Sequence, residues 1–229
     1  MLSYGELLGQ VEDLVGYLQQ ACGVKTGDRV ALHSQNCPQY FVTYYAILRA
    51  QAEVVPINPM NVAEELQYCV TNSGARTVLV AQELCDKARP LLRSGDIEHL
   101  VVHAYSDYLT ESTDVSVPDA VTVPRQELAD PGITLRRDAL ARERNQAPFE
   151  GKHDDLCVTG YTSGTTGKLK GCVHTHGSVL AGSAVWRGGS PAFLCLAIGP
   201  LFHFLGMQGG GGGMNGPIYN ASTAVIMQR

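Results

Sequence analysis

The sequence predicts an α/β fold in which parallel-rich sheets are flanked by helices. Two observations carry this prediction. Short apolar runs alternate with segments whose apolar residues recur every three or four positions, over most of residues 1–105. The two kinds of segment follow one another at the spacing of β–α–β units, which place strands side by side in parallel and helices on the faces of the sheet.

The helices are predicted from caps and periodicity. Ser3 and Glu6 have the spacing of a capping box before the apolar series that begins at Leu7. Asn61 and Glu64 have the same spacing and predict another helix start. The predicted helices cover residues 7–18, 38–50, 62–71, 83–92, 138–144 and 177–186.

The strands are predicted from short apolar runs bounded by turn residues. They cover residues 29–33, 54–57, 76–81, 100–103, 156–158, 172–174, 193–198 and 223–227. Residues 106–150 are polar and rich in proline, and they are predicted to be a long connection without strands. The chain is therefore divided into an alternating part (1–105), this connection (106–150) and a C-terminal part (151–229).

Composition is typical of a folded globular protein. Of the 229 residues, 45% are hydrophobic and the net charge is −5, so no general affinity for nucleic acid or anionic membrane is expected. The seven cysteines are dispersed without a CxxC pair, which predicts reduced thiols and a cytoplasmic location. Glu6, Glu12 and Asp13 argue against a signal peptide, and Gly199 and Pro200 interrupt the longest apolar stretch, which argues against a transmembrane segment.

One segment, YTSGTTGKLKG at residues 161–171, is flexible and polar directly after an apolar run. Backbone N–H groups of a glycine-rich turn, hydroxyls and a lysine together suit a polyphosphate. The segment is not a P-loop of the Walker type, because Thr162 stands where that motif has glycine and Leu169 where it has serine or threonine.

The same segment, followed by HTHGS, resembles the phosphate-binding signature of the adenylate-forming (AMP-binding) superfamily, which includes acyl-CoA synthetases. Only Leu169 departs from the pattern, at a position where proline is usual. Four other stretches resemble motifs of this superfamily in the same order, namely LSYGEL (2–7), GDRVA (27–31), PINP (56–59) and PLFH with a following glycine (200–206).

The resemblance implies a reaction in two steps. A carboxylate attacks the α-phosphorus of magnesium-bound ATP to give an acyl-adenylate, and the thiol of coenzyme A then displaces AMP. By analogy with the superfamily, the residues that bind phosphate are Thr162, Ser163, Gly164, Thr165, Thr166, Gly167 and Lys168. Thr162 also matches a position that can contact Mg²⁺, whereas Lys170 is either a second phosphate contact or a structural residue.

His203 is the catalytic candidate that the resemblance implies, at the carboxylate end of the acyl pocket. Amino-acid-activating relatives usually have aspartate at this position, and histidine does not supply that fixed negative charge. A fatty or aryl carboxylic acid is therefore the expected substrate. The alternative is a core histidine between Phe202 and Phe204 with one hydrogen bond.

Two other patterns are weaker. Cys172, His174 and His176 alternate and would share one face of a strand, but a fourth zinc ligand is not evident. The run GGGMNG at residues 211–216 fits a dinucleotide-binding pattern but does not follow a strand. The resemblance instead places these glycines either beside the acyl chain or in a close-packed turn.

The resemblance covers an N-terminal portion, less than half of a member of the superfamily. The adenine-binding and ribose-binding segments and the C-terminal domain with its catalytic lysine are not found in these residues. Three functions stay open: an acyl-CoA ligase, an inactive folding or interaction unit, and an adenylating enzyme that loads a carrier protein. The 229 residues alone are expected to be inactive and to self-associate through an exposed sheet edge.

Overall fold

The computed structural model describes residues 1–110, 114, 116–141, 145–163, 169–185, 193–208 and 213–227. Its strands follow the predicted α/β pattern and lie mainly in the positions expected from the sequence. They are β1 (Arg29–His33), β2 (Glu53–Ile57), β3 (Thr77–Ala81), β4 (His99–His103), β5 (Ile133–Leu135), β6 (Leu156–Ser163), β7 (Leu169–Thr175), β8 (Leu194–Ala197) and β9 (Thr223–Ile226).

The helices connect and cover these strands, and short 3-10 turns occupy Gln82–Leu84 and Tyr105–Tyr108. The α-helices are α1 (Tyr4–Gln20), α2 (Pro38–Arg49), α3 (Ala63–Ser73), α4 (Cys85–Ser94), α5 (Asp119–Thr122), α6 (Arg136–Leu140), α7 (His176–Val185), α8 (Phe204–Gln208) and α9 (Asn215–Tyr219). Among the described residues, no helix has both the length and the apolarity that a membrane crossing requires.

In the described residues, seven strands form one sheet in the order β5-β4-β3-β1-β2-β6-β7, and β8 pairs with β9 in a second sheet. All of these pairs are parallel except β6–β7. The chain runs from β1 outward to β2 and then returns across β1 to β3. Right-handed connections therefore place α2 on one face and α3 and α4 on the other, which confirms the predicted parallel-rich sheet flanked by helices.

The core lies between the sheet and these helices. Strands β2 and β3 are buried along their whole length, and β1 and β4 are buried except at their first residues. Near-continuous burial of this kind is typical of parallel strands covered on both faces. The sheet is thus a rigid platform, and its β6–β7 edge carries the polar segment identified in the sequence.

The capping predictions had different outcomes. Ser3 caps α1 as predicted, because its Oγ accepts the Glu6 N–H at 3.3 Å and its own N–H donates to Glu6 Oε2 at 2.8 Å. The predicted Asn61–Glu64 box is wrong. Helix α3 begins one residue later, with Val62 as the N-cap residue, and the Val62 N–H donates to Glu65 Oε2 at 3.2 Å.

Three strands differ from the sequence prediction. Strand β6 was predicted to end at Val158 but continues to Ser163. Strand β5 lies inside the connection that was expected to contain no strand, and it adds to the edge of the sheet beside β4. It has only three residues, which is too short for a clear alternating pattern. Strand β7 begins at Leu169 rather than at Cys172, because it pairs with β6 along its whole length in an antiparallel hairpin.

Candidate active site

The polar segment lies at the tip of the β6–β7 hairpin. The last pair of the hairpin is Ser163 opposite Leu169, so residues 164–168 form the connection between two paired strands. Gly164, Thr165, Thr166, Gly167 and Lys168 lie outside the described residues. Because the hairpin pairs up to the residues that border it, both ends of this connection are fixed in space.

Helix α3 holds the hairpin close to this tip. The Tyr161 hydroxyl donates to Asn72 Oδ1 at 2.7 Å, and the Tyr68 hydroxyl donates to the carbonyl of Leu169 at 3.1 Å. The rings of Tyr68 and Tyr161 meet edge to face, with centroids 6.3 Å apart. Burial raises the pKa of Tyr161 to about 12, so its hydroxyl keeps the proton that it donates.

Thr162 and Lys170 form a cross-strand pair in this hairpin. Directly opposed residues of an antiparallel pair lie on the same face, and both residues are exposed. The Thr162 hydroxyl is 3.9 Å from Cys172 Sγ, a weak contact that leaves its oxygen available. A threonine and a lysine therefore share one face of the hairpin next to the tip, and a hydroxyl together with a positive charge suits an anionic group.

The second predicted feature is a tight turn that carries His203. The His203 N–H donates to the Pro200 carbonyl at 3.0 Å, and the His203 carbonyl accepts the N–H groups of Gly206 and Met207 at 2.9 and 3.0 Å. A Cβ on Gly206 would overlap the carbonyl oxygen of Pro200, so the closeness of this turn requires glycine. The turn is built entirely from the PLFH segment and the glycine that follows it.

His203 is exposed, so the alternative of a core histidine is wrong. Its Nδ1 accepts the Leu205 N–H at 3.1 Å. In the neutral ring the proton is then on Nε2, which points away from this hydrogen bond and is able to donate to a ligand. The turn thus orients the imidazole and favours the neutral tautomer with its proton on Nε2.

Phe204 joins the His203 turn to the hairpin. Its ring lies 4.0 Å from the ring of His174 on β7, measured between centroids. It also covers Gly160 on β6, where an added Cβ would approach the Phe204 ring to 2.7 Å. The two predicted parts of the site are therefore packed against each other through Phe204, to which the sequence analysis assigned no functional role.

Neither the possible zinc pattern nor the possible dinucleotide-binding pattern gains support from the structure. Strand β7 ends at Thr175 and His176 begins α7, so the prediction that Cys172, His174 and His176 share one strand face is wrong. Within the described residues, no group of three or more His, Cys, Asp or Glu side chains is arranged to hold a metal ion. Gly211 and Gly212 lie outside these residues, and the five-residue helix α9 that follows begins with buried Asn215.

Comparison with known proteins identifies the family of the chain. The family described as "AMP-binding enzyme" matches residues 1–229. A long-chain-fatty-acid–CoA ligase of Salmonella typhimurium is 31% identical over 187 residues, which are 79% of this chain and 33% of the relative. A ligase with the same name from Bacillus subtilis is 28% identical over 218 residues, 90% of this chain and 38% of the relative.

Solved structures show the same fold. An anthranilate CoA ligase in complex with anthranoyl-AMP superposes with a TM-score of 0.79 at 21% identity, over 98% of this chain and 40% of that one. A long-chain-fatty-acid-CoA ligase from Archaeoglobus fulgidus gives 0.73 at 22% identity, over 99% of this chain and 40% of that one. The chain spans 33–38% of the length of the two curated relatives. By its family match and its fold, the chain belongs to the AMP-binding enzymes, and it corresponds to an N-terminal portion of its acyl-CoA ligase relatives.

Proposed function

We propose that this chain is the N-terminal part of an ATP-dependent acyl-CoA ligase that acts on a fatty or aryl carboxylic acid. The observation that carries the proposal is the contact between the two parts of the site. The hairpin that ends in the phosphate-loop sequence is packed through Phe204 against the turn that presents His203. A triphosphate and a carboxylate bound at these two parts would lie next to each other.

The reaction forms and breaks two bonds in sequence. A carboxylate oxygen attacks the α-phosphorus of ATP, and pyrophosphate leaves as the acyl-adenylate forms. The thiol of coenzyme A loses its proton and attacks the acyl carbonyl, and AMP leaves with the oxygen that joined the acyl group to phosphorus. The first step needs stabilisation of the charge that builds on the leaving pyrophosphate.

The residues of the hairpin tip would meet this need. Thr162 and Ser163, at the end of β6, and residues 164–168 would donate hydrogen bonds to the β- and γ-phosphates, and Lys168 would add a positive charge. The exposed Thr162 hydroxyl would contact the Mg²⁺ ion that accompanies ATP. Within the described part of the chain, no group of three or more His, Cys, Asp or Glu side chains is arranged to bind this ion alone.

His203 would receive the substrate carboxylate. Its Nε2–H is available because Nδ1 already accepts the Leu205 N–H, and a neutral donor suits a carboxylate oxygen. The turn supplies no aspartate to hold an α-ammonium group. The names of the fatty-acid–CoA ligase relatives support the same substrate class.

Two other functions remain candidates. The chain could belong to an adenylating enzyme whose acyl acceptor is a carrier protein, because the acyl-adenylate forms in the same way whichever thiol later accepts the acyl group. The 229 residues on their own could be an inactive folding or interaction unit. In that case self-association is expected, because Leu194 is 72% exposed on β8 and the described residues show only one partner for each of β8 and β9.

All seven cysteines are free and six are buried, which supports a cytoplasmic location.

Thioester formation tests the proposal. The complete polypeptide that contains this chain is incubated with ATP, magnesium, coenzyme A and a panel of fatty, aryl and amino acids, and acyl-CoA is measured by mass spectrometry. Acyl-CoA is expected from fatty or aryl acids and not from amino acids, and the 229-residue chain alone is expected to give none and to form oligomers in light scattering. Acyl transfer only to a phosphopantetheinyl carrier protein would favour the second candidate, and no transfer to either acceptor would contradict the ligase.

A further inference from the structure

Asn36 is a buried amide that joins the first sheet to the His203 turn. It is 7% exposed and lies three residues after His33, the last residue of β1. Its Nδ2 donates to the carbonyls of Gly199 at 2.9 Å and Met227 at 3.2 Å, and its Oδ1 accepts the Leu201 N–H at 2.8 Å. One side chain thus satisfies three backbone groups at the carboxyl ends of β8 and β9.

The loop that carries Asn36 is itself held in place by polar contacts on the first sheet. Ser34 Oγ lies 3.0 Å from His103 Nε2, and the Gln35 N–H donates to the Tyr105 hydroxyl at 3.2 Å. The Tyr105 hydroxyl in turn donates to Glu83. Burial lowers the pKa of His103 to about 3, so this ring is neutral at ordinary pH. Asn36 is therefore presented from a rigid base.

The groups that Asn36 holds belong to the turn that carries His203. Leu201 follows Pro200, whose carbonyl accepts the His203 N–H. The Leu201 side chain is fully buried, so its backbone does not shift without disturbing the core. A change at Asn36 would therefore move the backbone from which His203 projects, while the hairpin remains attached to α3 by separate hydrogen bonds.

We propose that Asn36 is a positioning residue for His203 and so controls how the carboxylic acid is aligned with the phosphate loop. This inference rests on the proposed ligase function. It assigns the alignment of the acid to a residue that is far in sequence from His203 and from the phosphate-loop segment, and that follows a strand in the other sheet. It also predicts that a change at this residue affects kcat/KM for the acid more than it affects KM for ATP.

Asn36→Asp is the sharpest variant. Aspartate has the same shape and keeps an acceptor for the Leu201 N–H, but it replaces the Nδ2 donor by an oxygen that faces the carbonyls of Gly199 and Met227. Asn36→Ser is the second variant, in case the buried carboxylate prevents folding. In the complete enzyme, kcat/KM for the acid is expected to fall about tenfold or more, with KM for ATP changed less than about twofold.

Gln82→Ala is the matched control. Gln82 is also a buried amide, 8% exposed, and it joins backbone groups in the same way. Its Nε2 donates to the Pro124 carbonyl at 3.0 Å, and its Oε1 accepts the Gln126 N–H at 3.1 Å. Loss of these contacts is expected to lower stability but to leave kcat/KM for the acid unchanged at temperatures well below unfolding.

A second readout separates this inference from the proposed function. The imidazole resonances of His203, assigned with a His203→Gln variant, report its tautomer and surroundings in NMR spectra even without turnover. Asn36→Asp or Asn36→Ser is expected to shift these resonances, and Gln82→Ala is not. Unshifted His203 resonances in a folded Asn36 variant would overturn the inference. An equal relative change in kcat/KM for the acid and in KM for ATP would also overturn it. So would an equal fall in kcat/KM for the acid in the Asn36 and Gln82 variants.

Discussion

Thr166→Ala in the complete enzyme is expected to lower kcat/KM for ATP by roughly 30- to 1000-fold, which corresponds to about 2–4 kcal/mol of transition-state stabilisation. The reason is the role proposed for residues 162–168. In this role the Thr166 hydroxyl would donate to the phosphates that carry the growing negative charge, and alanine would leave that charge without the donor. Steady-state kinetics with saturating acid and coenzyme A measure the effect.

Thr122→Ala is the control for this prediction. Thr122 is exposed, and its hydroxyl donates only to the Asp119 carbonyl within α5, at 2.8 Å. Its loss removes a hydroxyl of the same kind from a site outside the proposed machinery, so kcat/KM is expected to stay within about twofold of the starting enzyme. Normal turnover by Thr166→Ala would show that this loop does not stabilise the leaving pyrophosphate.

Gly206→Ala is expected to lower the free energy of unfolding by at least about 2 kcal/mol and to abolish most activity. The added methyl group would overlap the Pro200 carbonyl oxygen, which also accepts the His203 N–H. Backbone atoms do not rotate away as a flexible side chain does, so the turn itself must open. Urea unfolding of the purified protein, followed by circular dichroism, measures the loss.

The matched control is Gly216→Ala, in the neighbouring short helix α9. A Cβ at Gly216 would meet no atom within 4 Å, and Gly216 is not among the glycines with positive φ. Alanine there is expected to leave stability unchanged or to raise it by about 0.4–1 kcal/mol. Equal stability of the two variants would contradict the close approach of Gly206 and Pro200, on which the fixed position of His203 depends.

The fold could be predicted where local signals were strong. The Ser3–Glu6 cap marked α1, and strands such as β1 were found within a residue of their true ends, because buried parallel strands form continuous apolar runs. Strand β5 and the full lengths of β6 and β7 were missed. These parts depend on a partner strand that lies far away or across a turn, and their own residues carry little pattern. The Asn61–Glu64 cap was predicted from spacing alone, which does not fix the first turn of α3.

The candidate site likewise contains residues that local sequence patterns predict and residues that they do not. The motif resemblance identified Thr162 and His203 because each belongs to a contiguous pattern in the sequence. It did not identify Asn36, Tyr68 or Phe204, whose contributions are contacts between elements. Asn36 meets Leu201, a residue 165 positions further along the chain, and no local pattern of a single sequence records such a pair. The roles assigned to residues 162–168 and to His203 are predictions from the motifs.

Oxygen transfer from the substrate tests the central claim most directly. The complete enzyme is incubated with ATP, coenzyme A and a fatty or aryl acid whose carboxylate carries a heavy oxygen isotope. The products are then separated, and their masses are measured by mass spectrometry. Attack of the carboxylate on the α-phosphorus predicts one labelled oxygen in AMP and none in pyrophosphate. Labelled inorganic phosphate together with ADP would show that an acyl-phosphate forms instead, and the adenylate-forming account of this chain would be contradicted.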